Sequence, residues 1–356
     1  MSNLTAQDRQ LLCSVYAPPS ATTNWRLEQL AGHERIRYFA YGRHALAEAL
    51  RVAGVRSGET VLLPAFICRE VLSAIHACGA SAVYYPVDQT LALAVDPATL
   101  PAAKAIVAVD YFGFAQNLAP FTQFCARTGA VLIEDNAHGL FSHDETGRAL
   151  GTRGDLGIFS LRKTLATPDG AALTVNSPAF SEALAPQLPF DTTAPGATFR
   201  FKSSLRKLAQ KFGPWPARAA TAAARLARQL KTGHAIPPSL PQSEFELPAG
   251  AAPNRLLADV MAQTDVAAES ARRCALYRLL PALLDPARYP PLFPTLPQGT
   301  VPYGYPFVAN AAAGASASQT LARHGLECFQ WPALPDAIAP SAPAHYQSVW
   351  MASFLW

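Results

Sequence analysis

Two residues in this chain have the type and placement to carry chemistry. Lys163 lies in FSLRKTLATPDGAAL (residues 159–173), just beyond an apolar strand-like run, where Thr167, Pro168, Asp169 and Gly170 let the backbone turn sharply. An amine so placed can point into a crevice at a strand end and attack a carbonyl; the plainer alternative is a solvated loop lysine. Asp135 closes the run AVLIEDN (130–136). A carboxylate there is partly desolvated, which is costly unless a cation faces it; the plainer alternative is a helix N-cap. In YGRHAL (41–46) Gly42 stands just before a helical pattern, so the amides of Arg43 and His44 can face an anion, and the Ser160 hydroxyl can join them. An amine for a Schiff base, a carboxylate for a protonated ring nitrogen and an anion cradle are together what pyridoxal phosphate needs.

These residues must be positioned by a sheet. Between residues 40 and 176 short β-rich runs alternate with helical patterns: VLLPAF (61–66), SAVYYPV (81–87), AIVAVDYF (105–112), AVLIEDN (130–136), DLGIFS (155–160) and AALTV (171–175). Helical HALAEALRVAGV (44–55) and REVLSAIHACGA (69–80) fall between them, each near a helix-stopping glycine. The alternation predicts an α/β fold with a mostly parallel sheet, whose ligands sit at the carboxyl ends of the strands. Cys68, Tyr111, Asp135, His138, Ser160 and Lys163 each follow a strand closely and are the residues to inspect there. Residues 178–250 break the rhythm and read as an insertion. From Asn254 a long helical pattern runs through NRLLADVMAQTDVAAESARRCALYRLL, followed by strand-like VPYGYPFVAN and then a helix with ARHGLECFQWP, which predicts a second, smaller α/β domain. The expected organisation is an N-terminal segment (1–34), a large domain (35–250, with the insertion at about 190–250) and a small domain (251–356).

The composition bounds the function class. A chain of 356 residues, half of them hydrophobic, can bury a large core. The start lacks a basic segment followed by an apolar core, and no apolar run is long enough to span a bilayer, which points to the cytoplasm. Six scattered cysteines with no CxxC pair fit neither a zinc site nor a disulfide scaffold, so no metal is expected. The formal charge of +4 comes from one stretch. Nine cations lie between Arg200 and Lys231 with no acid among them, and without them the charge would fall from +4 to −5, which argues against nucleic acid as the partner. Within that stretch Phe201, Leu205, Leu208, Phe212 and Trp215 recur at helical spacing, unless Gly213 and Pro214 end the helix one turn early. Such a face either docks on the protein's own body or dimer partner, or makes a peripheral contact with an anionic membrane through residues 199–231.

The segments GETVLLPAFI, IEDNAHGL, GTRGDLGIFS with the lysine loop, and YGRHAL resemble the sugar aminotransferases of the DegT/DnrJ/StrS type, within the fold-type I pyridoxal-phosphate enzymes. They occur in that family's order, strongly over residues 35–176 and more loosely over 254–332. The resemblance implies a large domain with a mainly parallel seven-stranded-type sheet, a small C-terminal domain and a homodimer. It implies pyridoxal 5′-phosphate as cofactor, with transfer of an amino group from a donor such as glutamate to a keto sugar, in most of the family one linked to a nucleotide, for polysaccharide or secondary-metabolite biosynthesis. Lys163 takes the place of the Schiff-base lysine and Asp135 that of the ring-nitrogen aspartate. Gly42, Arg43, His44 and Ser160 match the phosphate cradle. His138 stands where the family commonly has a glutamine near the ring's phenolic oxygen; its plainer alternative is a structural histidine bonded to a backbone carbonyl. Asn254 corresponds to an asparagine that reaches the phosphate of the partner subunit. The chain departs from the family in three places: Cys68 replaces an aromatic ring against the cofactor face, the lysine loop is two residues shorter with Pro168 to Ala171 in place of GEGG, and a closing segment expected after Trp356 is missing, as in a truncated chain. A lyase or dehydratase of the same fold, or a catalytically silent binding relative, are the alternatives; Lys163 argues against the dehydratases that carry histidine in its place.

Overall fold

A computed structural model describes residues 4–213, 215–232 and 240–356. Pro214 and residues 233–239, part of the expected insertion, lie outside the described residues. In chain order the elements are α1 (Ala6–Cys13), α2 (Leu27–Ala31), β1 (Ile36–Phe39), α3 (Gly42–Val52), β2 (Thr60–Pro64), α4 (Leu72–Ala77), β3 (Ser81–Tyr85), β4 (Ala105–Val109), α5 (Ala119–Thr128), β5 (Val131–Asn136), β6 (Leu156–Phe159) and β7 (Ala171–Val175). There follow α6 (Ala197–Phe212), α7 (Trp215–Thr232), α8 (Leu256–Ala262), α9 (Val266–Leu279), β8 (Gly304–Val308), α10 (Ala311–Arg323), β9 (Cys328–Gln330) and β10 (Val349–Ser353).

The first seven strands form one sheet in the order β1-β7-β6-β5-β4-β2-β3. β2 through β6 pair in parallel, and β7 runs antiparallel to both of its neighbours. Every residue of β4 and β5 is buried, as expected of central parallel strands covered by helices on both faces. Because β7 reverses direction, β1 again runs with β6, and its carboxyl end lies at the same edge as those of β2, β4, β5 and β6. That edge receives Gly42, Cys68, Phe112, Asp135 and Lys163. The six strand-like runs coincide with β2 to β7, whereas β1 lies just before the region where strands were expected.

The helical pattern from Asn254 is two helices rather than one. It breaks at Gln263, and Asp265 caps α9 by accepting the Ala268 N–H. ECFQ, expected in a helix, contains β9. β10 is the middle strand of a second sheet, β8-β10-β9, and Phe354 and Trp356 beyond it are buried. Two contacts lock this unit onto the first sheet. Gly113, at φ +91°, lets the Val301 carbonyl approach to 2.7 Å of where a Cβ would stand. The guanidinium of Arg273, buried on α9, donates to the carbonyls of Thr164 and Tyr303 and pairs with Glu269 at 2.6 Å.

Candidate active site

Lys163 ends a single 3-10 turn, Leu161–Lys163, directly after β6. The turn is pinned where the Gly170 carbonyl accepts the Arg162 N–H and the Gly170 N–H donates to Ala40. Gly170 sits at φ +134°, which permits this hairpin-like return. Lys163 is therefore half-buried in a recess rather than a solvated loop residue. Its Nζ lies 3.0 Å from Nε2 of His138.

That hydrogen bond fixes the protonation of both partners. Nδ1 of His138 accepts the backbone N–H of Phe112 at 3.2 Å, so it carries the lone pair. Burial holds the imidazole well below its ordinary value, so the ring is neutral. A neutral ring with its lone pair on Nδ1 has its hydrogen on Nε2, and that N–H must donate to Nζ. Lys163 is thus a neutral amine with its lone pair engaged, consistent with the fall in its pKa caused first by burial. The nearby Asp135 carboxylate opposes that fall only in part. His138 is accordingly bonded to a backbone N–H and an amine, not to a backbone carbonyl.

The imidazole is clamped between two rings. Tyr303 stacks on one side at 4.7 Å and 3°, Phe112 faces it at 5.6 Å and 22°, and Trp331 meets it edge-on at 5.1 Å. The Tyr303 N–H also donates to the Phe112 carbonyl. Phe112 itself takes a left-handed conformation, φ +56° and ψ +14°, which is unusual for a non-glycine residue and turns its N–H toward His138.

Asp135 is buried at the end of β5 and its Oδ1 accepts the Ala137 N–H at 3.0 Å; no helix follows, so it is not an N-cap. Burial raises its pKa, against the opposing effect of that N–H. No cation hydrogen-bonds to it among the described residues. Its neighbour Glu134 points to the other face of the strand and, with Asp110 at the end of β4, grips Arg153, each at 2.7 Å. This buried ion cluster ties together the two strand ends that carry Phe112 and Asp135.

The α3 N-terminus brings Gly42, Arg43 and Ser160 together and turns His44 elsewhere. Gly42 lies against Ser160, its would-be Cβ 3.9 Å from the serine Cβ. Tyr41 makes no side-chain cap, and the N–H groups of Gly42 and Arg43 meet no acceptor among the described residues. The His44 N–H, by contrast, is already spent on the Tyr41 carbonyl, and its ring donates from Nε2 to the Pro248 carbonyl at 2.9 Å. His44 therefore offers an anion neither its amide nor a ring N–H. Asn254 is likewise committed within the chain: its side chain accepts the Leu256 N–H and donates to Thr193, while its backbone N–H meets Asp169. Cys68 keeps its thiol protonated, pushed up to about 12 by burial, and forms a neutral wall near Lys163. Tyr111 donates its hydroxyl to the Phe66 carbonyl and is structural.

Pyridoxal phosphate fits this donor set. A neutral amine, a buried carboxylate with no bonded cation and an uncapped helix start beside a serine match its carbonyl, its protonated ring nitrogen and its phosphate. Fold and site together define the fold-type I architecture of pyridoxal-phosphate enzymes. The chain belongs to the DegT/DnrJ/EryC1/StrS aminotransferase family, whose sequence model matches residues 26–203, half of the chain. It is 32% identical over 151 residues to a dTDP-4-dehydro-2,3,6-trideoxy-D-glucose 4-aminotransferase of Saccharopolyspora spinosa, covering 41% of this chain and 39% of the relative. It is 33% identical over 189 residues to an L-glutamine:2-deoxy-scyllo-inosose aminotransferase of Streptomyces kanamyceticus, covering 50% of this chain and 44% of the relative. The matched stretch thus spans less than half the length of these curated relatives. The fold matches that of an aminotransferase from Streptoalloteichus hindustanus with a TM-score of 0.62 at 20% identity, over 99% of this chain and 91% of that one.

Proposed function

We propose that this chain is a cytoplasmic pyridoxal-phosphate aminotransferase that moves an amino group from glutamate or a similar amino acid to the ketone of a nucleotide-linked sugar, working as a homodimer. The observation that carries the reading is the neutral Lys163 amine, held by His138 Nε2 at 3.0 Å beside buried Asp135. When bound, pyridoxal phosphate supplies a carbonyl for an amine and a cationic ring that draws electrons from the substrate's α-carbon. Lys163 Nζ, unprotonated, is the base that takes up the donor's α-proton and later gives it back. Asp135 holds the ring N–H and is kept from water by the walls of β4, β5 and β6. The Gly42 and Arg43 N–H groups and the Ser160 hydroxyl bind the phosphate. His138, fixed between Phe112 and Tyr303, presents one N–H donor in a set direction. The sugar and cyclitol ketones named for the two curated relatives support a polyhydroxylated cyclic ketone as acceptor.

The test is to incubate purified chain with pyridoxal phosphate and glutamate and to measure pyridoxamine phosphate by mass spectrometry, then to screen keto-sugar nucleotides for turnover. An aminotransferase forms pyridoxamine phosphate and consumes one of the ketones. A silent relative forms none, and a lyase releases ammonia or water from the substrate without net transfer. Borohydride reduction should place the pyridoxyl mass on the peptide containing Lys163; a label on another lysine would overturn the assignment.

A further inference from the structure

The cationic stretch folds as two helices, α6 and α7, that touch each other and the body along narrow faces. On α6 only Leu205 and Ala209 are buried, and among the described side chains of α7 only Ala217 is. Arg206 donates to the Trp356 carbonyl, Lys202 lies over the Trp356 ring, and the Trp356 indole N–H bonds to Thr221. These contacts use one side of each helix. The expected five-residue stripe is therefore split, with Leu205 turned inward and its large neighbours left facing solvent. Phe201, Leu208 and Phe212 follow at steps of seven and four, which places them in one line along α6. Arg200, Lys207 and Lys211 immediately precede them and form a parallel line of exposed cations. On α7, Trp215, Leu226 and Leu230 share the face opposite Ala217, with Trp215 66% and Leu230 80% exposed.

We propose that α6 and α7 form a peripheral docking surface for an anionic lipid bilayer, lying flat with the aromatic and leucine side chains among the acyl chains and the cations at the headgroups. The charge pattern selects this occupant. Exposed Arg200, Lys207 and Lys211, in a stretch with no acid between Arg200 and Lys231, would repel a second copy of the same face across a two-fold axis. The partner must instead be both anionic and apolar, and an anionic leaflet is both. α7, at 18 residues, is about 27 Å long and rests on the surface; no described helix is long and apolar enough to cross a membrane.

Co-sedimentation of the full chain with vesicles decides the matter. Vesicles of phosphatidylcholine with phosphatidylglycerol should carry the protein down, and phosphatidylcholine alone should not. Binding should weaken at least about tenfold as salt rises from roughly 0.05 to 0.5 M, because screening shortens the reach of the cations. The triple change Phe201→Ser, Phe212→Ser, Trp215→Ser should abolish binding with the circular dichroism spectrum and thermal midpoint retained. As a second handle, Lys207→Glu with Lys211→Glu should do the same while leaving every apolar group in place. A folded protein that stays in the supernatant with anionic vesicles at low salt overturns the proposal. So does equal binding to neutral vesicles, or light scattering that shows the same serine changes breaking an oligomer, which would make the face a contact between copies.

Discussion

Replacing His138 by leucine tests the chain of reasoning from tautomer to amine. Leucine removes the Nε2–H that donates to Lys163 Nζ and leaves the Phe112 N–H, 3.2 Å from Nδ1, without an acceptor. The donated hydrogen bond stabilises the unprotonated amine and is lost on protonation. Worth about 1 kcal/mol net, it depresses the lysine pKa, so its removal should raise the Lys163 pKa. The orphaned N–H and the lost stacking on Tyr303 and Phe112 should cost a further ~2–4 kcal/mol of stability. His138→Gln separates the two effects, because an amide can accept from Phe112 and donate to Nζ at once. Competitive acetylation across a pH series, read by mass spectrometry on the Lys163 peptide, gives the pKa directly in the cofactor-free chain. The expected order has the wild type and His138→Gln alike and His138→Leu higher. A leucine variant whose Lys163 pKa is unchanged or lower would show that Nε2 does not donate to Nζ, and the assignment of a neutral, engaged amine would fall with it.

Asp135→Asn should leave the cofactor bound but cut turnover by several orders of magnitude, since an amide cannot hold a protonated ring nitrogen; absorbance titration checks binding and steady-state rates check turnover. Arg153→Met leaves the carboxylates of Asp110 and Glu134 buried without their cation and should destabilise the fold by ~3–5 kcal/mol in urea melts. Burial and Glu134 already raise the Asp110 pKa. Loss of Arg153 raises it further, so the folded variant binds more protons than the unfolded chain and its deficit should shrink as the pH falls toward the ordinary carboxylate range. Gly113→Ala brings a Cβ to 2.7 Å from the Val301 carbonyl at a φ of +91° and should cost ~1–3 kcal/mol, measured as a lowered thermal midpoint.

The central strands were legible because a strand buried on both faces must be apolar throughout, and VLLP, AIVAV and AALTV have no competing helical period. β1 was not: IRYF is four residues long, carries an arginine, and pairs with β7 some 135 residues away, so nothing local announces it. Lys163 and Asp135 were legible as candidates because Asp135 lies at the carboxyl end of β5 and Lys163 in the turn that follows β6, at the sheet edge where ligands collect. The His44 amide is placed differently from the sequence reading for a local reason. The first turn of α3 tightens, and its N–H turns back to Tyr41, which moves the free amides one residue earlier.

The residues that aim the site were invisible for a different reason. Phe112, Tyr303 and Trp331 come from three loops and meet around one imidazole, so neither spacing nor period connects them. The same holds for Arg153, which can grip Asp110 and Glu134 together because β4 and β5 lie in parallel register, Val109 beside Asp135. The left-handed Phe112 shows how these distant contacts act. Alone, that conformation would cost on the order of 1–3 kcal/mol. The Phe112 N–H bond to His138 and the Phe112 carbonyl's bond from Tyr303 both depend on it. Strain at one residue is thus offset by two hydrogen bonds and by ring contacts with His138, Phe293 and Trp331, and the result is a fixed imidazole that keeps the lysine unprotonated. The reactive groups follow from strand ends, whereas their protonation states follow from the packing of the second sheet against the first.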